Sequence, residues 1–342
     1  MTRPDRWILG IADDLTGALE AGSKFAAQGL LARVTTDANA IHPLAPIFVV
    51  DSETRHLSPV EARRVVQNIA TRLAKHQPWL VYKKTDSTLR GNIAAELGAL
   101  TIAFPGRHVL YVPAYPAMGR IVKGDRLLVH GVPVHETEFA SDPLNPIRDS
   151  AVQSVLGDVR ATIVEGESDE DILAVARRIC ASASPVLVAG PAAIAEALAL
   201  TLPFPRQAPS TLPPLRRCLI VNGSMHPAST LQIDYAREHD VFNADWTLFD
   251  YDGAGTGVER AVRLGERVRQ FISGNPVDGL IVFGGDTAFG IHKALSSPGF
   301  TCYGDVLPAV PASQAGGLYW VTKAGGFGQP NLLQQLRLAL SP

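Results

Sequence analysis

Short apolar runs rich in Val, Ile, Leu and aromatic side chains recur along the chain, at residues 7–11, 47–50, 79–82, 108–112, 186–189, 218–221, 279–283 and 318–322. Runs without polar alternation read as strands buried on both faces. Helical signatures lie between several of them. Ser58-Pro59-Val60-Glu61 is a capping box with proline at the first helical position, followed by Val65, Val66, Ile69 and Leu73 at helical spacing. Ser168-Asp169-Glu170-Asp171 puts acidic residues in the first turn of another helix, and Pro191 and Pro330 each open a further one. This alternation predicts an α/β protein: two α/β domains with mostly parallel sheets and an interdomain cleft.

A length of 342 residues, at roughly 150 residues per domain, agrees with two domains. The boundary is legible as a stretch with prolines at 203, 205, 209, 213 and 214, which can neither continue a helix nor sit inside a sheet. The expected division is a first domain at 1–204, a linker at 205–217 and a second domain at 218–342. A chain that is 46% hydrophobic and 19% charged can bury a large core, so disorder is excluded. A net charge of −2 removes the long-range attraction that a nucleic-acid or anionic-membrane binder needs. No run of about 18 apolar residues is present to span a bilayer, and MTRPDRWILG does not start like a signal peptide. Three cysteines (Cys180, Cys218, Cys302) without a CxxC spacing predict reduced thiols, hence a cytoplasmic protein with neither a disulfide framework nor a zinc site.

Polar residues cluster just after the strands, where open α/β sheets bind ligands. Asp13 and Asp14 follow the first run, Asp51, Ser52 and Arg55 the second, and Lys83, Lys84, Asp86, Ser87 and Arg90 the third. The second half supplies Asn222-Gly223-Ser224, Gly284-Gly285-Asp286-Thr287 and the glycine-rich run from Lys323 to Gly328. Arginine forks and carboxylates suit a small polyhydroxylated acid. Glycines and small hydroxyls at strand ends let backbone N–H groups approach phosphate. An acid-binding half and a phosphate-binding half make a phosphotransferase.

Each cluster also has a plainer use. Asp14 or Thr16 suits the N-cap of the next helix, Asp86 to Thr88 suits a cap after Gly91, and one of Lys83 and Lys84 is expected to be a solvated surface charge. Known motifs are absent: no P-loop, no nucleophile elbow, and no histidine spacing that would hold a metal. Gly253 to Gly257 imitates a dinucleotide fingerprint with the wrong spacing and reads as a loop.

Taken in order, Ala12-Asp13-Asp14-Leu15-Thr16-Gly17-Ala18, Lys84 to Asn92, Pro113-Ala114-Tyr115-Pro116 with Gly119-Arg120, Gly131 to Thr137 with Asp142-Pro143, and the three glycine-rich blocks resemble the four-carbon acid sugar kinase family over essentially the whole chain. The resemblance implies an ATP-dependent kinase that phosphorylates the terminal C4 hydroxyl of threonate, erythronate or 3-oxo-tetronate. By motif, Arg55, Lys84, Asp86 and Ser87 would bind the acid alongside Asp13, Asp14 and Arg90. Ser224, Gly284, Gly285, Asp286, Thr287 and Gly325 would contact ATP. The chain is shorter than the family leads one to expect, chiefly in its second half, and Ala309 stands where glycine is more usual.

Phosphoryl transfer needs alignment and charge neutralisation more than covalent help. The expected base is Asp13, then Asp14. Asp86 would hold a substrate hydroxyl, and Arg90 would clamp the carboxylate or screen the moving phosphoryl group. Mg²⁺ would accompany ATP, with Asp286 reaching it through water and its other ligands unassigned. The expected partners are the sugar acid and, in a homo-oligomer, copies of this chain, with neither nucleic acid nor membrane. Two other readings are a sugar-acid sensor without turnover and a lyase with Lys84 as Schiff-base residue.

Overall fold

Each of the apolar runs becomes a strand, and six of the eight extend one or two residues toward the polar cluster that follows, whereas 279–283 keeps its bounds and 108–112 ends at Tyr111. The computed structural model describes residues 6–37, 39, 45–142, 145–250 and 256–341. The chain divides into two units between Gln207 and Ala208.

The first unit comprises β1 (Ile8–Ala12), α1 (Leu15–Ala27), β2 (Ala32–Thr35), β3 (Ile47–Asp51), α2 (Pro59–Ala74), β4 (Leu80–Lys84), α3 (Ile93–Ala103), β5 (His108–Tyr111), β6 (Arg120–Lys123), β7 (Arg126–Val129), β8 (Val132–Pro133), α4 (Val152–Leu156), β9 (Thr162–Ile163), α5 (Asp169–Ala181), β10 (Val186–Gly190) and α6 (Ala192–Thr201). Seven strands form a parallel sheet in the order β2-β3-β1-β4-β10-β5-β9. Strands β1, β3, β4 and β10 are buried at every residue, as unbroken apolar runs require. The crossover from β1 leads to one edge of the sheet, and those from β3 and β4 lead toward the other. With right-handed connections this puts α1 and α2 on opposite faces, where α1 packs on α6 and α2 on α3. The crossovers part between β1 and β4, so a crevice opens beyond the carboxyl ends of those two strands.

The expected capping box of Ser58 with Glu61 forms, and the acidic first turn after Ser168 forms a second one, Ser168 with Asp171. The small antiparallel sheet β6-β7-β8 was not foreseen. Its turns, Gly124-Asp125 (φ 57° and 59°) and His130-Gly131 (φ 50° and 83°), have positive φ at both central residues. Two-residue hairpins favour this geometry, and Gly-Asp was the overlooked signal.

The second unit comprises β11 (Cys218–Asn222), α7 (Pro227–Glu238), β12 (Trp246–Asp250), α8 (Gly257–Gly274), β13 (Gly279–Phe283), α9 (Gly285–Leu295), β14 (Phe300–Leu307), β15 (Val310–Ala315), β16 (Leu318–Lys323) and α10 (Leu332–Leu340). Its strands run β12-β11-β13-β16-β15-β14. The first four are parallel, and β16, β15 and β14 form an antiparallel meander. Trp246, Ile281, Phe283, Val321, Leu333 and Leu336 belong to its core. Crossovers part between β11 and β13, which makes a second crevice. Of the Gly253 to Gly257 run, 253–255 lie outside the described residues. Thr256 caps α8, and Gly257 opens it.

Residues 203–215 carry no helix or strand. Gln207 N–H donates to the Gly29 carbonyl, and Leu215 N–H to that of Leu340, so each end of the proline-rich stretch is tied to its own unit. Among the described residues no helix is long and apolar enough to cross a membrane.

Ala309 follows Pro308 in the tight connection from β14 to β15, with φ at +59°. Proline followed by a positive-φ residue is the type II turn pattern, which explains the usual glycine. Ala309→Gly is expected to raise stability by about 1 kcal/mol, measurable as a higher urea midpoint.

Candidate functional site

The end of β1 carries Asp13, which is buried, and Asp14, which caps α1 by accepting from the Gly17 N–H at 2.9 Å. Thr16 Oγ1 donates to Asp14 at 2.8 Å. Arg55, in the loop after β3, bridges the pair. Its Nε (2.8 Å) and Nη2 (3.0 Å) donate to the two oxygens of Asp13, and its Nη1 (2.6 Å) donates to Asp14. Burial favours a neutral Asp13, but Arg55 and then Lys83 outweigh it and hold the carboxyl below its ordinary value. Gly91, with φ at +92°, lies so close that a Cβ there would stand 3.0 Å from Asp13 Oδ2.

After β4, Asp86 accepts from Arg90 Nε (3.1 Å) and Nη2 (2.7 Å), and from the backbone N–H (2.8 Å) and hydroxyl (2.5 Å) of Thr88. Against the upward push of burial, Arg90 and Arg55 hold Asp86 well below the carboxylate range. Asp86 therefore does not cap α3, whose N-cap Asn92 makes no side-chain cap bond. Half-buried Ser87 lies beside it. Arg90 Nη1 reaches Asp142 at 3.1 Å, and the guanidinium lies over Phe139 with 5.3 Å to the ring centroid. Neither Phe139 nor Asp142 has a role among those read from the sequence, because their contact with Arg90 spans about fifty positions of chain.

One expectation is overturned: neither Lys83 nor Lys84 is a solvated surface charge. Both lie on a central strand with helices over each face, and they are 0% and 4% exposed. Lys83 pairs with Glu96 (3.0 Å) and Lys84 with Glu20 (3.3 Å). Burial disfavours the Lys84 ammonium, but Glu20 and Asp14 keep it charged and raise its pKa. A permanently protonated amine is a poor Schiff-base nucleophile, which counts against the lyase reading.

Beside Asp13, Asp51 ends β3 in register with Ala12 of β1. Its Oδ1 accepts from the Glu53 N–H at 3.0 Å, while its buried Oδ2 has no hydrogen-bond partner. Burial pushes Asp51 up to about 7, and burial and then Asp51 push Glu53 up to about 11. Glu53 sits at φ +48° and accepts from the Leu15 N–H at 3.1 Å. Neither acid has a role among those read from the sequence.

In the second unit the expected phosphate-binding residues converge on the ends of β11, β13 and β16. Asn222 donates to Asp250 (3.0 Å) and accepts from the Ser224 N–H (3.2 Å). Gly284, with φ at +100°, is the N-cap of α9. The first turn of that helix holds Gly285, Asp286 and Thr287, and N–H groups at a helix N-terminus favour an anion. A Cβ at Gly325 would stand 2.7 Å from Ser224 Oγ, and one at Gly223 would collide with the Thr287 hydroxyl. The backbone thus approaches closely only because these positions are glycine. Asp286 lies across from Gly257 of α8, 3.2 Å from where a Cβ would be. Among the described residues no cluster of three or more His, Cys, Asp or Glu could hold a metal alone.

A sugar-binding N-terminal domain family matches residues 8–161, and a nucleotide-binding C-terminal domain family matches 250–333. A D-threonate kinase of Salmonella typhimurium is 30% identical over 410 aligned positions, covering 94% of this chain and 96% of that protein. A solved structure from Salmonella typhimurium LT2 shares the fold at a TM-score of 0.79 and 19% identity, covering 98% of this chain and 99% of that one. Another, a Bordetella bronchiseptica protein crystallised with bound citrate as a domain-swapped dimer, is 25% identical with a TM-score of 0.56, covering 98% of each chain.

Proposed function

Because the chain belongs to the four-carbon acid sugar kinase family, we propose that it transfers the γ-phosphoryl group of ATP to the C4 hydroxyl of a four-carbon sugar acid. Threonate is the first candidate, with erythronate and 3-oxo-tetronate next. The observation that carries this reading is the same placement in each unit: the charged residues occupy the crevice of the first sheet, and the glycine cradle occupies that of the second.

The chain's own residues then divide the work. Arg90, whose side chain is 26% exposed against 13% for Arg55, takes the substrate carboxylate by exchanging its bond to Asp142. Asp86 and Ser87 hold substrate hydroxyls, and Lys84 supports them from its pair with Glu20. Asp13, spent on Arg55, keeps that arginine in place. Asp14, the more exposed of the adjacent pair, receives the C4 hydroxyl proton. This moves the base from Asp13 to Asp14 on grounds of access. Ser224, Gly284, Gly285, Thr287 and Gly325 receive the nucleotide phosphates. Mg²⁺ fits as an ion carried by the nucleotide, with Asp286 as its protein carboxylate, and when bound it neutralises phosphate charge. Unpaired cysteines suit the cytoplasm, and the swapped Bordetella dimer makes homo-oligomerisation part of the proposal.

A coupled ADP-release screen over four- and five-carbon sugar acids tests this reading. Acid-dependent ADP formation with a four-carbon acid is expected. Acid binding with no ADP from any of them would favour the sensor instead.

A further inference from the structure

Lys323 ends β16 only 1% exposed, and among the described residues no carboxylate forms an ion pair with it. Its ammonium donates to Ser229 Oγ (3.0 Å) and Gln232 Oε1 (2.7 Å), both on α7, and to the Gly325 carbonyl (2.9 Å). It also lies 4.5 Å from the centroid of the Phe283 ring. An ammonium has three N–H groups, and all are used. Burial pulls Lys323 down to about 7, and the three acceptors and the ring face are the groups around it that favour its ammonium form. None of its donors is left for a ligand.

The same residues grip the glycine-rich turn that follows. Ser229 Oγ donates to the Gly325 carbonyl at 3.0 Å, and Gln232 Nε2 to the Phe327 carbonyl at 2.9 Å. Two carbonyls of the turn therefore point at α7. In a planar trans peptide the N–H of the next residue points the opposite way, so Gly326 and Gly328 turn their N–H groups away from α7. Gly328 has φ at +90°, and a Cβ on Gly326 would stand 3.2 Å from His226 Nε2, so neither position readily accepts a side chain. The intervening Phe327 N–H donates to the Ala324 carbonyl at 3.2 Å, so the turn offers an anion the alternate N–H groups of Gly326 and Gly328, and backbone N–H groups gathered in a turn bind anions.

We propose that Lys323 is a positioning residue: by tying the Gly325 carbonyl to α7 it aims the N–H groups of Gly326 and Gly328 at a nucleotide phosphate. This rests on the second unit being the nucleotide site. The test is calorimetric titration of the full chain with ADP, alongside KM for the sugar acid. Lys323→Met is expected to weaken ADP binding at least about 10-fold, the loss of charge-assisted hydrogen bonds, while KM for the acid stays put. Gln232→Ala frees the Phe327 carbonyl and removes one of the three acceptors of the ammonium while leaving its bond to the Gly325 carbonyl, and a several-fold loss is expected. Lys323→Arg, which restores donors, is expected to recover part of the affinity. Unchanged ADP affinity in Gln232→Ala would overturn positioning through the loop, even if Lys323→Met binds poorly or fails to fold. A wild-type chain that binds no adenine nucleotide would instead defeat the kinase reading itself.

Discussion

Arg55→Ala is expected to destabilise the first unit by about 3–5 kcal/mol, the cost of stripping the partner from a buried ion pair. In a unit of this size that is a fall in Tm of roughly 6–20 °C. One guanidinium satisfies both oxygens of Asp13 and one of Asp14, and Asp51 and Glu53 lie close by. Without it, adjacent carboxylates face one another in a buried crevice. Arg55→Lys is expected to rescue little, because a point charge cannot span two carboxylates as a planar fork does. Activity should be lost in both variants. Adding Asp13→Asn and Asp14→Asn to Arg55→Ala is expected to restore Tm without restoring turnover, which separates the stability role from the chemical one. Thermal denaturation of the set decides the matter, and an Arg55→Ala protein that melts like the wild type would refute it.

Asp51→Asn is expected to act in the opposite direction, stabilising the protein by about 2–4 kcal/mol at pH 8. In the unfolded chain an aspartate titrates near 3.9, whereas burial raises Asp51 to about 7 in the folded one. The folded state therefore holds a proton that the unfolded state has released. That contribution is full below about pH 4 and is lost as pH rises through about 7. Glu53, raised to about 11, continues the same trend into alkali. Asparagine removes the buried charge yet can still accept from the Glu53 N–H. The Tm difference between Asp51→Asn and wild type should grow from pH 5 to pH 8; a difference independent of pH would contradict this account.

Much of the fold was legible because its signals are local. Unbroken apolar runs marked strands covered on both faces, Ser58 and Ser168 marked helix starts, and prolines from 203 to 214 marked the segment in which the two units divide. Placing polar and glycine-rich clusters just beyond strand ends needed only the rule that ligands bind there. Even Ala309 carried information, since a positive φ there is the backbone that would favour the glycine the resemblance led one to expect.

Other properties came from neighbours distant in sequence. Strand order put the crevices between β1 and β4 and between β11 and β13, and no local pattern states which strands will pair. Arg55 meets Asp13 and Asp14 across about forty residues, and Lys323 meets α7 across about ninety. Lys83 and Lys84 are buried because helices cover both faces of a central strand, and an edge strand with the same residues would leave them in water. Side-chain chemistry along the chain determined which groups could bind an acid or a phosphate. Only packing decided which charges cancel, which stay protonated and which way a glycine-rich turn points its N–H groups, because Coulomb and desolvation energies depend on distance and burial in space.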